Sequence, residues 1–154
     1  MPFSPKVCNR EDWPEDWSEW IPVMSPRRKT GFSSRDDSGF RNIDLESDMP
    51  NVCGIYEMAL GKHGNQPKAV YIGSTCRSKS GKVLARIQEY CYDGAHKARF
   101  INDALDNGYT IYARYRRSCP DNKEQAEIEE NSFLKLFDYA WNKRNNGRMR
   151  TYYP

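Results

Sequence analysis

Two short runs of β-branched and aromatic residues, at 52–58 (VCGIYEM) and 69–73 (AVYIG), constrain this chain more than any other feature. Each is too short for a helix, and the turn-rich stretch between them, residues 61–67 (GKHGNQP), breaks any longer element. The pair reads as a β-hairpin with a long loop. After it, residues 82–91 place Val83, Leu84, Ile87, Tyr90 and Cys91 on one stripe at helical spacing, which predicts an amphipathic helix. A second helix is expected from about His96 to Leu105, ending near Asn107 and Gly108, and a third strand over residues 109–117. Asp121 and Glu124 have the spacing of a capping box and open a helix carrying Ala126, Phe133, Leu134 and Phe137 on its apolar face. Strand, strand, helix, helix, strand, helix is an α+β order, with a small antiparallel sheet of about three strands flanked by helices.

The 154 residues suffice for one domain with a modest core, since 38% are apolar and 13% aromatic. Residues 1–50 read as a Trp-rich extension that packs on or precedes a domain at 51–145, with residues 146–154 as a basic tail. In the extension Trp13, Trp17 and Trp20 are spaced as on one helical face, which predicts a short helix. No stretch approaches the roughly 20 apolar residues of a membrane span, and the first residues lack the pattern of a signal peptide, so an intracellular protein is expected. Cys8, Cys53, Cys76, Cys91 and Cys119 show no CxxC or Cys/His spacing and are expected to be reduced thiols, with Cys53 and Cys91 in packing roles. The net charge of +3 divides unevenly: residues 1–51 hold 7 Lys/Arg against 10 Asp/Glu, whereas residues 52–154 hold 17 against 11. That local surplus is the weak footprint of a polyanion binder.

One residue breaks the apolar face of the last helix. Glu130 shares a stripe with 126, 133, 134 and 137, and a carboxylate there must be paired with a cation, solvated in a cleft or bound to a metal ion. Arg86 lies one i,i+4 step before Tyr90, so a guanidinium and a phenol project from the first helix together; a guanidinium fork suits phosphate oxygens, and an ion pair is the plainer alternative.

Gly54, Ile55 and Tyr56 on one expected strand and Tyr71, Ile72 and Gly73 on the next resemble the two namesake motifs of the GIY-YIG nucleases. Arg86, Glu130 and Asn142 follow in the family's order. The spacing from Arg86 to Tyr90 and from Glu130 to Asn142 is similar to that of the family's nucleotide-excision repair incision enzyme. A closer resemblance, covering nearly the whole chain, is to the plant effector-of-transcription proteins, through segments at 10–13 (REDW), 93–96 (DGAH) and 137–142 (FDYAWN). Two departures stand out: the segment between Gly73 and Arg86 is longer than in the repair enzymes, and the cysteine-rich zinc-binding repeats of the plant proteins are absent from this sequence.

The resemblance implies a GIY-YIG nuclease fold and a DNA endonuclease that hydrolyses phosphodiester bonds with one Mg²⁺ or Mn²⁺ ion held by Glu130, without a small-molecule cofactor. It implies that Arg86 binds the non-bridging phosphate oxygens and that Tyr56 or Tyr71 orients or deprotonates the attacking water, which Tyr90 would support. Asn142 is expected to tie the segment after the last helix back to the site, and His96 either contacts phosphate, assists proton transfer or is structural. The plant resemblance adds a nuclear location and a link to transcriptional regulation. Lys82, Lys97, Arg114, Arg116, Lys143 and Arg144 are candidates for DNA contacts, although for any single one a solvated surface charge is the better reading. The rival reading is a DNA-binding transcriptional regulator with this fold and little or no cleavage. A restriction enzyme with a defined site ranks below both. Oligomeric state and DNA specificity are left open.

Overall fold

The computed structural model describes residues 17–26, 48–62, 64–76, 82–93, 95–118, 122–142, 149 and 151. Four antiparallel strands, β1 (Ile21–Met24), β2 (Gly54–Gly61), β3 (Lys68–Thr75) and β4 (Thr110–Arg117), form one sheet in the order β1-β4-β2-β3. Helices α1 (Val83–Asp93), α2 (Ala98–Asp106) and α3 (Lys123–Leu136) cover it, with a single 3-10 turn at Ala95–Lys97 between the first two. The expected hairpin, helices and third strand are therefore present, and β1 adds a fourth strand.

Alternation along the strands distributes side chains between two cores. Tyr56, Met58 and Leu60 of β2 join Tyr71, Ile111 and Ala113 in the larger one, where Val83, Ile87 and Tyr90 of α1 and Phe100, Ile101 and Leu105 of α2 pack. On the other face Ile55 and Ile72 meet Phe133 and Leu134 of α3, together with Tyr139. Every residue of β2 is consequently buried. That includes Glu57, which is 0% exposed: one carboxylate oxygen accepts from Arg114 Nε at 2.7 Å and the other from the Tyr139 hydroxyl at 2.5 Å. The Arg114 guanidinium lies between the rings of Trp17 and Trp20, 4.6 and 4.2 Å from their centroids.

Those two tryptophans correct the expectation of an N-terminal helix. From Trp17 onward the chain runs extended into β1; Trp13 lies outside the described residues. Ser18 exchanges hydrogen bonds with the Tyr115 backbone, its N–H donating to the carbonyl at 2.9 Å and its hydroxyl accepting from the N–H at 3.0 Å. Pairing with β4 thus takes the bonds a helix would have closed on itself, and edge position tolerates Pro22. The cap of α3 also shifts: Asn122, one residue past the expected Asp121, accepts from the Gln125 N–H at 2.7 Å.

The reading of five reduced cysteines is corrected at one pair. Gly54 and Thr75 are cross-strand partners, so Cys53 and Cys76, the next residues outward, come to a Cα separation of 4.4 Å and are joined by a disulfide. The register creates this meeting; the 23-residue separation in sequence does not announce it. Cys91 is a buried thiol outside the disulfide, donating to the Val23 carbonyl at 3.7 Å, and Cys8 and Cys119 lie outside the described residues.

Glu57→Ala would leave the Arg114 charge buried without its carboxylate, and unfolding in urea should show a loss of about 3–5 kcal/mol. A loss below about 1 kcal/mol would mean that the ion pair does not organise this face.

Candidate active site

The ends of β2 and β3, the middle of α1 and one face of α3 enclose a cleft of about 730 Å³. Tyr56, Tyr71, Gly73, Ser74, Arg86, His96, Lys123, Glu127 and Glu130 are among its lining residues. Of the residues singled out in the sequence, Tyr56, Tyr71, Arg86, His96 and Glu130 thus converge on one place.

The two motifs fit each other physically. Tyr56 and Gly73 are cross-strand partners, and the phenol of Tyr56 lies over the glycine, so a Cβ at position 73 would come within 2.4 Å of its oxygen. The glycine of the second motif makes room for the tyrosine of the first. Gly54 meets a similar limit, since a Cβ there would stand 2.2 Å from the Arg116 carbonyl oxygen on β4.

Tyr56, Tyr71 and Tyr90 form a triangle with ring centroids 6.0 to 6.1 Å apart, and the hydroxyls of Tyr56 and Tyr90 hydrogen-bond at 3.0 Å. Burial is the main cause that pushes all three phenols above the ordinary tyrosine value. Arg86 stacks over the Tyr90 ring at 4.8 Å, pairs with Glu89 at 2.5 Å, and directs Nη2 to His96 Nδ1 at 3.2 Å. A guanidinium can only donate, so Nδ1 accepts and the neutral imidazole carries its proton on Nε2, facing the Tyr71 hydroxyl at 3.4 Å. Partial burial, with the Lys97 and Arg86 charges adding to it, lowers the His96 pKa below its usual 6.5.

On the opposite wall Glu130 is 8% exposed, and one of its oxygens accepts from the Ser74 hydroxyl at 2.6 Å. Among the described residues no group of three or more His, Cys, Asp and Glu side chains gathers as a ready-made metal cage. The Glu130 carboxylate, with the exposed Glu127 on the same wall, instead suits a hard ion such as Mg²⁺, which keeps several waters and takes further ligands from a substrate phosphate. Asn142 sits behind the cleft, its amide bridging the Ile72 backbone on both sides: Oδ1 accepts from the N–H at 2.9 Å and Nδ2 donates to the carbonyl at 3.0 Å.

The expected DNA contacts fare differently. Arg114 is committed to Glu57, and Arg116 is buried over the Phe133 ring. Lys97 turns inward, donating to the Trp141 carbonyl at 2.6 Å and to Met149 Sδ at 3.0 Å, and burial lowers its pKa to about 8. These three are corrected from surface contacts to interior charges, because the faces that carry them are covered by α3, Trp17 and the segment around Trp141. Lys82 is half-buried at the start of α1, and Lys143 and Arg144 lie outside the described residues. Ser74, Thr75, Lys123 and Glu127 are cleft residues that the sequence reading did not single out; Lys123 and Glu127 share the helical stripe of Glu130, but only the fold shows that this stripe lines a cleft.

Gly73→Ala should lower stability by about 1–3 kcal/mol through the clash with Tyr56. The same change made in a Tyr56→Ala background should cost much less, and equal costs in the two backgrounds would refute the contact as its cause. The His96 imidazole should titrate below pH 6.5 by NMR and move upward in Arg86→Ala. The unfolded chain binds this proton more readily, so His96 contributes stability above pH 6.5 that is lost as pH falls through its folded value.

The model of GIY-YIG domain-containing proteins matches residues 17–153. Two similar proteins are both from Arabidopsis thaliana. Protein EFFECTOR OF TRANSCRIPTION 3 is 27% identical over 165 residues, covering 95% of this chain and 59% of its own length. Protein EFFECTOR OF TRANSCRIPTION 2 is 25% identical over 177 residues, covering 95% of this chain and 36% of its own length. The chain therefore spans less than two thirds of either relative. No solved structure matches it.

Proposed function

The chain belongs to the GIY-YIG domain family, a nuclease family, and on that footing we propose that it is a metal-dependent DNA endonuclease that hydrolyses phosphodiester bonds by a single-metal mechanism. The observation that carries the reading is the convergence of Tyr56, Tyr71, Arg86 and Glu130, from four different elements, on one polar cleft. A fold kept only for binding has no need of a carboxylate on the inner face of α3.

In this reading Arg86 leaves His96 for the non-bridging oxygens of the scissile phosphate and offsets charge that grows in the transition state. Tyr71 is the most exposed phenol of the three, at 9%, and orients the attacking water. Its raised pKa keeps it protonated at neutral pH, so it must pass a proton on as it takes one from the water. His96 supplies the destination: with Arg86 gone from Nδ1, the imidazole carries its own proton there and presents Nε2 as acceptor to Tyr71. Tyr56 and Tyr90 hold Tyr71 and Arg86 in place through ring contacts. Glu130, oriented by Ser74, would hold Mg²⁺ or Mn²⁺. The ion, when bound, supplies Lewis acidity toward the phosphate and the leaving 3′ oxygen.

A second reading, a DNA-binding transcriptional regulator with little or no cleavage, is favoured by the names of the two plant relatives. They also favour a nuclear location. The deciding assay is nicking of supercoiled plasmid with Mg²⁺ or Mn²⁺ and with chelator. The nuclease reading expects metal-dependent nicking that falls at least about 100-fold in a folded Glu130→Gln variant. A protein that binds plasmid, branched and single-stranded DNA yet cuts none of them would be the regulator.

A further inference from the structure

Lys123 belongs to the cleft although nothing in the proposed reaction uses it. It is exposed in the first turn of α3, and Lys123, Ala126, Glu127 and Glu130 form one stripe along the wall that faces Arg86. Seven residues separate Lys123 from Glu130, about 10 Å along the axis at roughly 1.5 Å per residue. A phosphate near Glu130 and Arg86 is then too far up the helix for the Lys123 ammonium to share it closely. The cleft, at about 730 Å³, has room for more than one phosphodiester.

Resting on the nuclease reading, we propose that Lys123 binds a second backbone phosphate of the same strand, flanking the scissile one, so that the cleft is a two-phosphate site for an oligonucleotide. Its neighbours set the path. Ala126 is buried and carries no charge, whereas the exposed Glu127 carboxylate repels a phosphate directly above it. The strand therefore leaves the scissile position toward Lys123 on the side away from Glu127. The inward turn of Lys97, Arg114 and Arg116 makes this contact matter more, because those charges cannot serve the same strand. As a point charge with no base edge to read, Lys123 would strengthen binding irrespective of sequence.

The test uses the full chain carrying Glu130→Gln, so that DNA is bound and not cut, with affinity for a fluorescent duplex measured against salt concentration. Adding Lys123→Ala should weaken binding roughly three- to tenfold at low salt for every sequence tried. The slope of log affinity against log salt should fall by about 0.9, the mark of one lost phosphate contact. Lys123→Arg should retain both properties, and Glu127→Gln should tighten binding. An unchanged slope with Lys123→Ala, in a parent that binds DNA, overturns this inference and leaves the nuclease reading standing. A parent that binds no DNA overturns both.

Discussion

The contact between the Tyr56 phenol and the bare backbone of Gly73 is the constraint on which the candidate site depends. It requires that β2 and β3 pair in one register, because a slip of one residue would send Tyr56 to the opposite face. With the register set, Tyr56 and Tyr71 stand close enough for Tyr90 to close the triangle from α1. Arg86, one turn before Tyr90, is then aimed at the cleft. The same register brings Ser74 to Glu130 from the other side of the sheet.

The opposite face of β2 solves a different problem. A central strand buried on both sides offers no water to a charge, yet it carries Glu57. The carboxylate is retained by an ion pair and a phenol hydrogen bond, and its partner Arg114 is sheltered by two indole rings. This arrangement binds three separate parts of the chain: the segment before β1, strand β4 and the turn after α3. It also explains why the Trp-rich beginning of the described chain runs along the sheet.

Local periodicity made the hairpin, the helices and β4 legible in the sequence, since each element announces itself within its own residues. The grouping at the candidate site was legible too, through the order of Tyr56, Tyr71, Arg86 and Glu130, which line one cleft. What escaped depends on partners remote in sequence. The spacing of Trp17 and Trp20 suits a helix as well as it suits two walls around Arg114, and only the pairing of Ser18 with Tyr115 decides. Alternation shows that Arg114 and Arg116 share a face but not that α3 and the tryptophans cover it. The meeting of Cys53 with Cys76 needs a strand register, and the relevance of Lys123 needs the cleft.

The amide of Asn142 does for β3 what a fifth strand would do. It occupies the outward N–H and carbonyl of Ile72, and the Trp141 N–H takes the carbonyl of Val70 at 2.8 Å, so the edge next to the cleft is sealed along its middle. At the other edge β1 is only four residues long and interrupted by Pro22. Both rims are thus poor templates for another strand, and the sheet is self-limiting. Wherever copies of a chain become concentrated, open strand edges are the usual route to joining sheets. Sealed rims would let copies of this one stand side by side without their sheets pairing edge to edge.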